Sequence, residues 1–169
     1  MYQSFIAAFR AFTDVKELGP ADVFAGIKIE RNQTHGQIKL SQPKYTQDLV
    51  ATYRYGDAHG EDTPAARGLQ LSVADCPTTD AEKQHMAQFP YRKILGKILY
   101  LSVMTRPDIA FAVNMLSHFA TNPSRKAWAA MRHLLRYLHK ASILGLILGR
   151  NPKQPGLHMF ADASWAANL

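Results

Sequence analysis

The chain has 169 residues, 20 Lys+Arg against 13 Asp+Glu, and a formal charge of +7; that length suits one domain or two small ones. With 47% apolar and 20% charged residues, wholesale disorder is excluded, and a single cysteine, Cys76, excludes an internal disulfide framework or a cysteine zinc cage. No apolar run approaches the roughly 18 residues that span a bilayer, and Met1–Ala11 lacks the basic region, apolar core and cleavage site of a secretory signal.

In chain order, Phe5, Phe9 and Phe12 are spaced for one helix face over residues 4–12, and Gly19-Pro20 stops that helix. Val23–Glu30 and Gln37–Leu40 alternate around a polar loop ending in Gly36, which predicts a β-hairpin. Pro43 fits the first turn of a helix on which Tyr45, Leu49, Val50 and Tyr53 share a face. Tyr55–Thr79 has repeated Gly/Pro breaks and no period, so it reads as a long connection between two lobes. From Glu82 the pattern is helical, with Ile94, Leu95, Ile98, Leu99 and Leu101 forming an apolar stripe. Thr105-Arg106-Pro107-Asp108 predicts a helix restart, with proline at the first turn and an acid beside the positive end of the dipole. Ile109, Ala112, Val113, Leu116 and Phe119 continue that helix, and Asn122-Pro123 ends it. A third helix over about Ser124–Lys140 is expected to bury Trp128, Met131, Leu135 and Leu138. Leu146–Leu148 and Leu157–Phe160 read as two short strands around a Gly/Pro/Lys loop.

The fold class is therefore α+β: a β-hairpin with flanking helices, a helical bundle and a C-terminal β-hairpin. Four segments follow: 1–55, a connection over 56–81, the bundle over 82–144, and 145–169.

Charge is uneven. Residues 1–90 carry 9 Lys+Arg against 11 Asp+Glu, a net of −2; residues 91–169 carry 11 against 2, a net of +9. The basic half points to a polyanionic partner, nucleic acid before an acidic membrane surface. Arg132, Arg136 and Lys140 stand at i, i+4 and i+8 on the third bundle helix; Arg125 extends the stripe, and Lys126, His133 and His139 flank it. No acid lies between Pro123 and Gln154. Like charges four apart oppose the helix slightly, so an external phosphate backbone is the expected counter-charge. The plain alternative is a solvated helix face. The histidines lack ligand spacing, and Glu61-Asp62 is expected to be a solvated loop. No P-loop, Gly-x-Gly-x-x-Gly or Gly-x-Ser-x-Gly motif occurs. Asp162 follows an apolar strand; a carboxylate there suits Mg²⁺, although a surface aspartate is the commoner outcome.

Thr105-Arg106-Pro107-Asp108-Ile109-Ala110-Phe111-Ala112-Val113-Asn114, preceded by Tyr91–Leu101 and followed by Leu116-Ser117, Phe119, Asn122-Pro123, Trp128 and Leu135-Arg136-Tyr137-Leu138, resembles the Pol polyprotein of copia-type LTR retrotransposons. Leu18-Gly19-Pro20, Phe24 and Gly26-Ile27-Lys28-Ile29 resemble the end of the reverse transcriptase palm with its primer-grip hairpin, and Ala161-Asp162-Ala163-Ser164-Trp165-Ala166 resembles the first strand of ribonuclease H. The resemblance implies a palm end over 1–55, a connecting segment over 56–81, a thumb-like bundle over 82–144 and a truncated ribonuclease H-like start over 145–169. It implies template–primer contact, as an RNA–DNA or DNA duplex, through Arg125, Lys126, Arg132, Arg136, Lys140, Gly26 and Lys28. Asp162 would be a former ribonuclease H acid and metal ligand, with Mg²⁺ the cofactor of the parent enzyme and none expected for the fragment. Further partners would be the remaining reverse transcriptase domains, with no membrane involved. The setting would be cytoplasmic and particle-associated, or nuclear, and not secreted.

The departures matter. No Asp-Asp pair occurs, Ser164 stands where the ribonuclease H pattern has a second acid, and Ala25 replaces a usual leucine in the hairpin. Two-metal phosphoryl transfer needs several carboxylates. The expectation is a fragment whose parent activity is RNA-directed DNA polymerisation with ribonuclease H, non-catalytic alone and binding duplex. The alternatives are a repurposed nucleic-acid-binding module and a protein-interaction remnant.

Overall fold

The computed structural model describes residues 2–17, 19–54 and 59–149. Among these residues six α-helices and a four-stranded antiparallel sheet make an α+β arrangement. The leading helix, α1 (Tyr2–Arg10), is followed by β1 (Val23–Phe24), β2 (Ile27–Asn32) and β3 (Gln37–Ser41). The expected first strand is split. Ala25 and Gly26 both have positive φ, 50° and 76°, which turns the chain tightly enough to pair Phe24 with Ile27. Glycine takes that conformation freely, and two positive-φ residues are what a two-residue hairpin loop matching the strand twist requires.

The second departure concerns β4 (Gly145–Gly149), which pairs antiparallel with β3, Leu146 opposite Leu40 and Gly145 opposite Ser41. The sheet order is β1-β2-β3-β4. Ile29, Leu40 and Leu146 line up across three strands and so share a face. The strand expected within 145–169 is thus held by the N-terminal hairpin, because periodicity specifies a strand but not its partner. The other expected strand, Leu157–Phe160, lies outside the described residues.

Helix α2 (Pro43–Thr52) starts with proline at its first turn. It is followed by α3 (Asp80–Ala87), α4 (Tyr91–Met104), α5 (Ala110–Ser117) and α6 (Arg125–Lys140). Leu49 and Val50 of α2 share one buried cluster with Ile94, Ile98 and Leu101 of α4, Val113 and Leu116 of α5, and Met131, Leu135 and Leu138 of α6. Each fully buried side chain of this size contributes about 1.5–3 kcal/mol. The expected three-helix bundle therefore has α2 as a fourth member. Leu99, expected in the stripe, is exposed; Trp128 is half-buried and stacks on Phe89, ring centroids 4.8 Å apart.

The connection packs down as well. Ala65, Leu71 and Cys76 lie against the core, and Ser72 and Asp75 close a capping box around the short 3₁₀ turn Val73–Asp75. Helix α3 begins at Asp80, two residues before the expected start, because Thr79 and Glu82 cap it reciprocally.

The turn between α4 and α5 is tied by a buried charge. Arg106 is 1% exposed. Its Nε and Nη2 donate to the two carboxylate oxygens of Asp108 at 2.9 and 2.8 Å, and its Nη1 donates to the Ala141 carbonyl just beyond α6 at 2.8 Å. Tyr137 of α6 donates its hydroxyl to Asp108 at 2.8 Å. Next to it, the Thr105 hydroxyl donates to the side-chain oxygen of buried Gln42, linking the end of α4 to the start of α2. Pro107 opens a single 3₁₀ turn, Pro107–Ile109, before α5. Asp108 is thus the carboxylate partner of a buried guanidinium, beyond the dipole role expected of it.

Removing one partner of such a pair strands the other and costs about 3–5 kcal/mol when both are buried. Asp108 retains 34% side-chain exposure, so Arg106→Ala should cost about 3 kcal/mol. Urea denaturation followed by circular dichroism measures this; an unchanged midpoint would show that the pair does not hold the turn.

Candidate nucleic-acid interface

Helix α6 is built as a two-sided element. Ser124 caps it, its hydroxyl accepting from the Ala127 amide at 3.0 Å. Ala127, Met131, Leu134, Leu135 and Leu138 face the core at helical spacing. Arg132, Arg136 and Lys140 take the other side: Arg132 and Lys140 are exposed and Arg136 is half-buried. The stripe expected from spacing is therefore present, and Arg125 and Lys126 are exposed at its start.

The stripe is not without counter-charge, as its sequence suggests. The connection supplies it. Glu61 lies 3.8 Å from Arg136 and 3.6 Å from His133, and Asp62 lies 2.5 Å from Lys140. The Thr63 carbonyl accepts from His133 Nε2 at 2.9 Å. Asp75 meets Lys126 at 3.4 Å. The hydrogen bond from Lys140, then its positive charge, holds the Asp62 carboxyl below the ordinary carboxylate range. Glu82 is lowered mainly by backbone and hydroxyl hydrogen bonds at Thr79, with Arg125 adding a smaller pull. Glu61-Asp62 is thus a charged strap over α6 rather than a solvated loop. Local sequence carries no sign of this, since 70 to 78 residues separate the partners. Among the described residues no carboxylate lies within ion-pair distance of Arg132.

The remaining candidates fall elsewhere. Gly26 sits in the β1–β2 turn, and Lys28 on β2 pairs with Glu30 at 2.9 Å. Among the described residues no hydrogen bond or ion pair joins either to the α6 cations. Asp162 lies outside the described residues. Among those described, no cluster of three or more His, Cys, Asp or Glu could hold a metal ion. No helix among them is long and apolar enough to cross a membrane. A feature that spacing did not reveal is an open groove of about 520 Å³, where Lys83, Arg92 and Lys93 rim the aromatic rings of Phe89 and Tyr91.

Comparison with known proteins gives a consistent set of relatives. The chain is 39% identical over 156 residues to a retrovirus-related Pol polyprotein from transposon TNT 1-94 of Nicotiana tabacum, covering 92% of this chain and 12% of that protein. It is 34% identical to the Pol polyprotein from transposon RE1 of Arabidopsis thaliana, over 91% of this chain and 10% of that protein. The chain is homologous to one segment of retrotransposon Pol polyproteins. It spans about a tenth of the length of these curated relatives. An uncharacterized mitochondrial protein of Arabidopsis thaliana is 30% identical over 90% of the chain, which covers 59% of it. No family model matches, and no solved structure does.

Asp108 accepts from Tyr137 and so ties α6 to the turn before α5. Partial burial alone would raise the Asp108 pKa. The hydrogen bonds from Arg106 and Tyr137, with the guanidinium charge, outweigh it and hold the carboxyl below its ordinary range. A depressed folded pKa gives stability that is complete above the unfolded value of about 3.9 and is lost as pH falls through the lower folded value. The urea midpoint should therefore drop steeply below about pH 4. Asp108→Asn should be less stable at neutral pH and lose less on acidification. Parallel pH profiles of the two proteins would refute this.

Proposed function

We propose that the chain is part of a copia-type reverse transcriptase, reaching from the end of the palm through the thumb to the start of ribonuclease H, and that α6 grips the template–primer duplex. The observation that carries this is the exposed basic face of α6, on a helix with no acid of its own and with Arg132 outside the ion pairs made by its neighbours. The homology to retrotransposon Pol polyproteins supports it. A row of guanidinium and ammonium groups at one-turn spacing meets successive phosphates and releases their condensed counterions, which supplies affinity without base readout. Gly26 and Lys28, on the separate hairpin, would contribute a second contact near the primer.

Catalysis is not assigned to the described residues. Their carboxylates at Glu61, Asp62, Asp75, Glu82 and Asp108 already serve as ion-pair or capping partners, and the sequence has no Asp-Asp pair. Mg²⁺ chemistry would belong to the longer polyprotein, with Asp162 the candidate ligand in this chain. The setting would be a cytoplasmic particle or the nucleus.

The binding test is a salt titration with an RNA–DNA hybrid. Each phosphate contact contributes about 0.9 to the slope of log K against log salt on B-DNA. Arg132→Ala should weaken binding and reduce the slope by about 0.9, with unchanged circular dichroism. Salt-independent binding, or a slope unmoved by the substitution, would sink the assignment.

A second reading is favoured by a separate observation. Val103 of α4 and Phe111 of α5 are 74% and 75% exposed, with Leu99 also exposed one turn before Val103, large apolar side chains of the kind that partner surfaces cover. In the intact polyprotein this surface would meet other domains. The isolated chain should then self-associate, and Val103→Asp with Phe111→Asp should shift it to monomer by light scattering. A parent chain that is already monomeric would refute the reading.

A further inference from the structure

The acids of the connection sit on the same helix face that the proposed duplex would use. Glu61, Asp62 and the Thr63 carbonyl engage His133, Arg136 and Lys140 across about two turns of α6. The approach is close: a Cβ on Gly60 would lie 2.7 Å from Lys140 Cβ, so only glycine allows the strap to lie this near the helix. The contact is also imperfect. Arg136 Nε is buried without a hydrogen-bond partner, a desolvated donor that opening would return to water. Asp62 and Lys140 keep 84% and 53% side-chain exposure, and exposed pairs of this kind are individually weak.

We propose that residues 60–63 form an electrostatic strap that occupies the Arg136–Lys140 half of the α6 face and is displaced by a polyanion of nucleic-acid type. The inference rests on the duplex-binding reading above and adds its regulation. With the strap closed, Arg132, Arg125 and the preceding turns make first contact. Phosphates then compete with Glu61 and Asp62 for Arg136 and Lys140. The strap acts as a built-in counter-ion: it lowers affinity for any single phosphate and leaves a long, continuous backbone as the favoured ligand. Neutralising it should recruit both cations at once.

The test uses the full chain with an RNA–DNA hybrid at several salt concentrations. Glu61→Gln/Asp62→Asn should bind about three- to tenfold more tightly at low salt, and its salt slope should steepen by up to about 1.8, the two phosphate contacts for which the strap competes in the parent. Gly60→Val, which forces the strap outward without changing charge, should steepen the slope in the same direction. Asp14→Asn/Asp22→Asn removes equal charge outside the strap and should leave the slope where it is. Arg136→Gln/Lys140→Gln should cost more affinity in the strap variant than in the parent chain. A strap variant that matches the parent in slope and affinity would overturn the strap, and so would a charge control that behaves like the strap variant. If the parent binds and loses affinity with Arg132→Ala, the duplex reading survives that result. If neither protein binds at low salt, both fall together.

Discussion

The buried guanidinium of Arg106 is the constraint on which the rest of the structure is arranged. A charge that is 1% exposed has to be neutralised and fully hydrogen-bonded, or its desolvation would outweigh any packing gain around it. The chain meets this by folding the five residues between α4 and α5 so that Asp108 returns a bidentate carboxylate, and by ending α6 so that the Ala141 carbonyl points at the remaining nitrogen. Three elements are thereby fixed relative to one another by one side chain. Tyr137 joins from α6 through Asp108, and Met131, Leu134, Leu135 and Leu138 seat the apolar face of the same helix on the core, which leaves the cationic row to the other side.

Much of this was legible in the sequence because the helices are strongly periodic. Ile109, Ala112, Val113, Leu116 and Phe119, read as one stripe, are all buried, as are Met131, Leu135 and Leu138. The basic row on α6 was equally visible. What local pattern could not convey was partnership across long separations. Strand β4 reads as a short apolar run between glycines but gives no hint that β3 would accept it. The tight turn at Ala25-Gly26 was hidden because alternation continues through it, although a glycine inside a strand pattern is a recognised warning of such a break. Arg106 was overlooked for a related reason: an arginine beside a helix-starting proline looks exposed until Asp108 two residues later is considered as its fork-matched partner. The Thr79–Glu82 capping box was readable and marks the true start of α3.

The electrostatics of α6 show why a charge count on one element misleads. The absence of acids along the helix is real, yet three-dimensional packing brings Glu61, Asp62 and Asp75 to it from the connection. The connection itself is net acidic for a physical reason. Residues 59–79 of it hold a single 3₁₀ turn, so they gain little from their own backbone and need anchors; Leu71 and Ala65 on the core and carboxylates on the basic face provide both apolar and ionic ones. Such ion pairs at the surface contribute modestly to stability. In the proposed duplex contact they would offset the charges of Arg136 and Lys140 and leave that of Arg132 outside them.

This division of labour follows from burial. Arg106 and Arg136 carry the same functional group, but Arg106 is enclosed with every planar edge matched, whereas Arg136 is half-buried with its Nε unpaired and its carboxylate at 3.8 Å. The first arrangement cannot be exchanged for an external ligand without unfolding the turn. The second can, because what the strap supplies, a carboxylate at the edge of solvent, a phosphate supplies at least as well through charge-assisted, bidentate contact. A binding surface needs cations of the second kind, held in place by cations of the first.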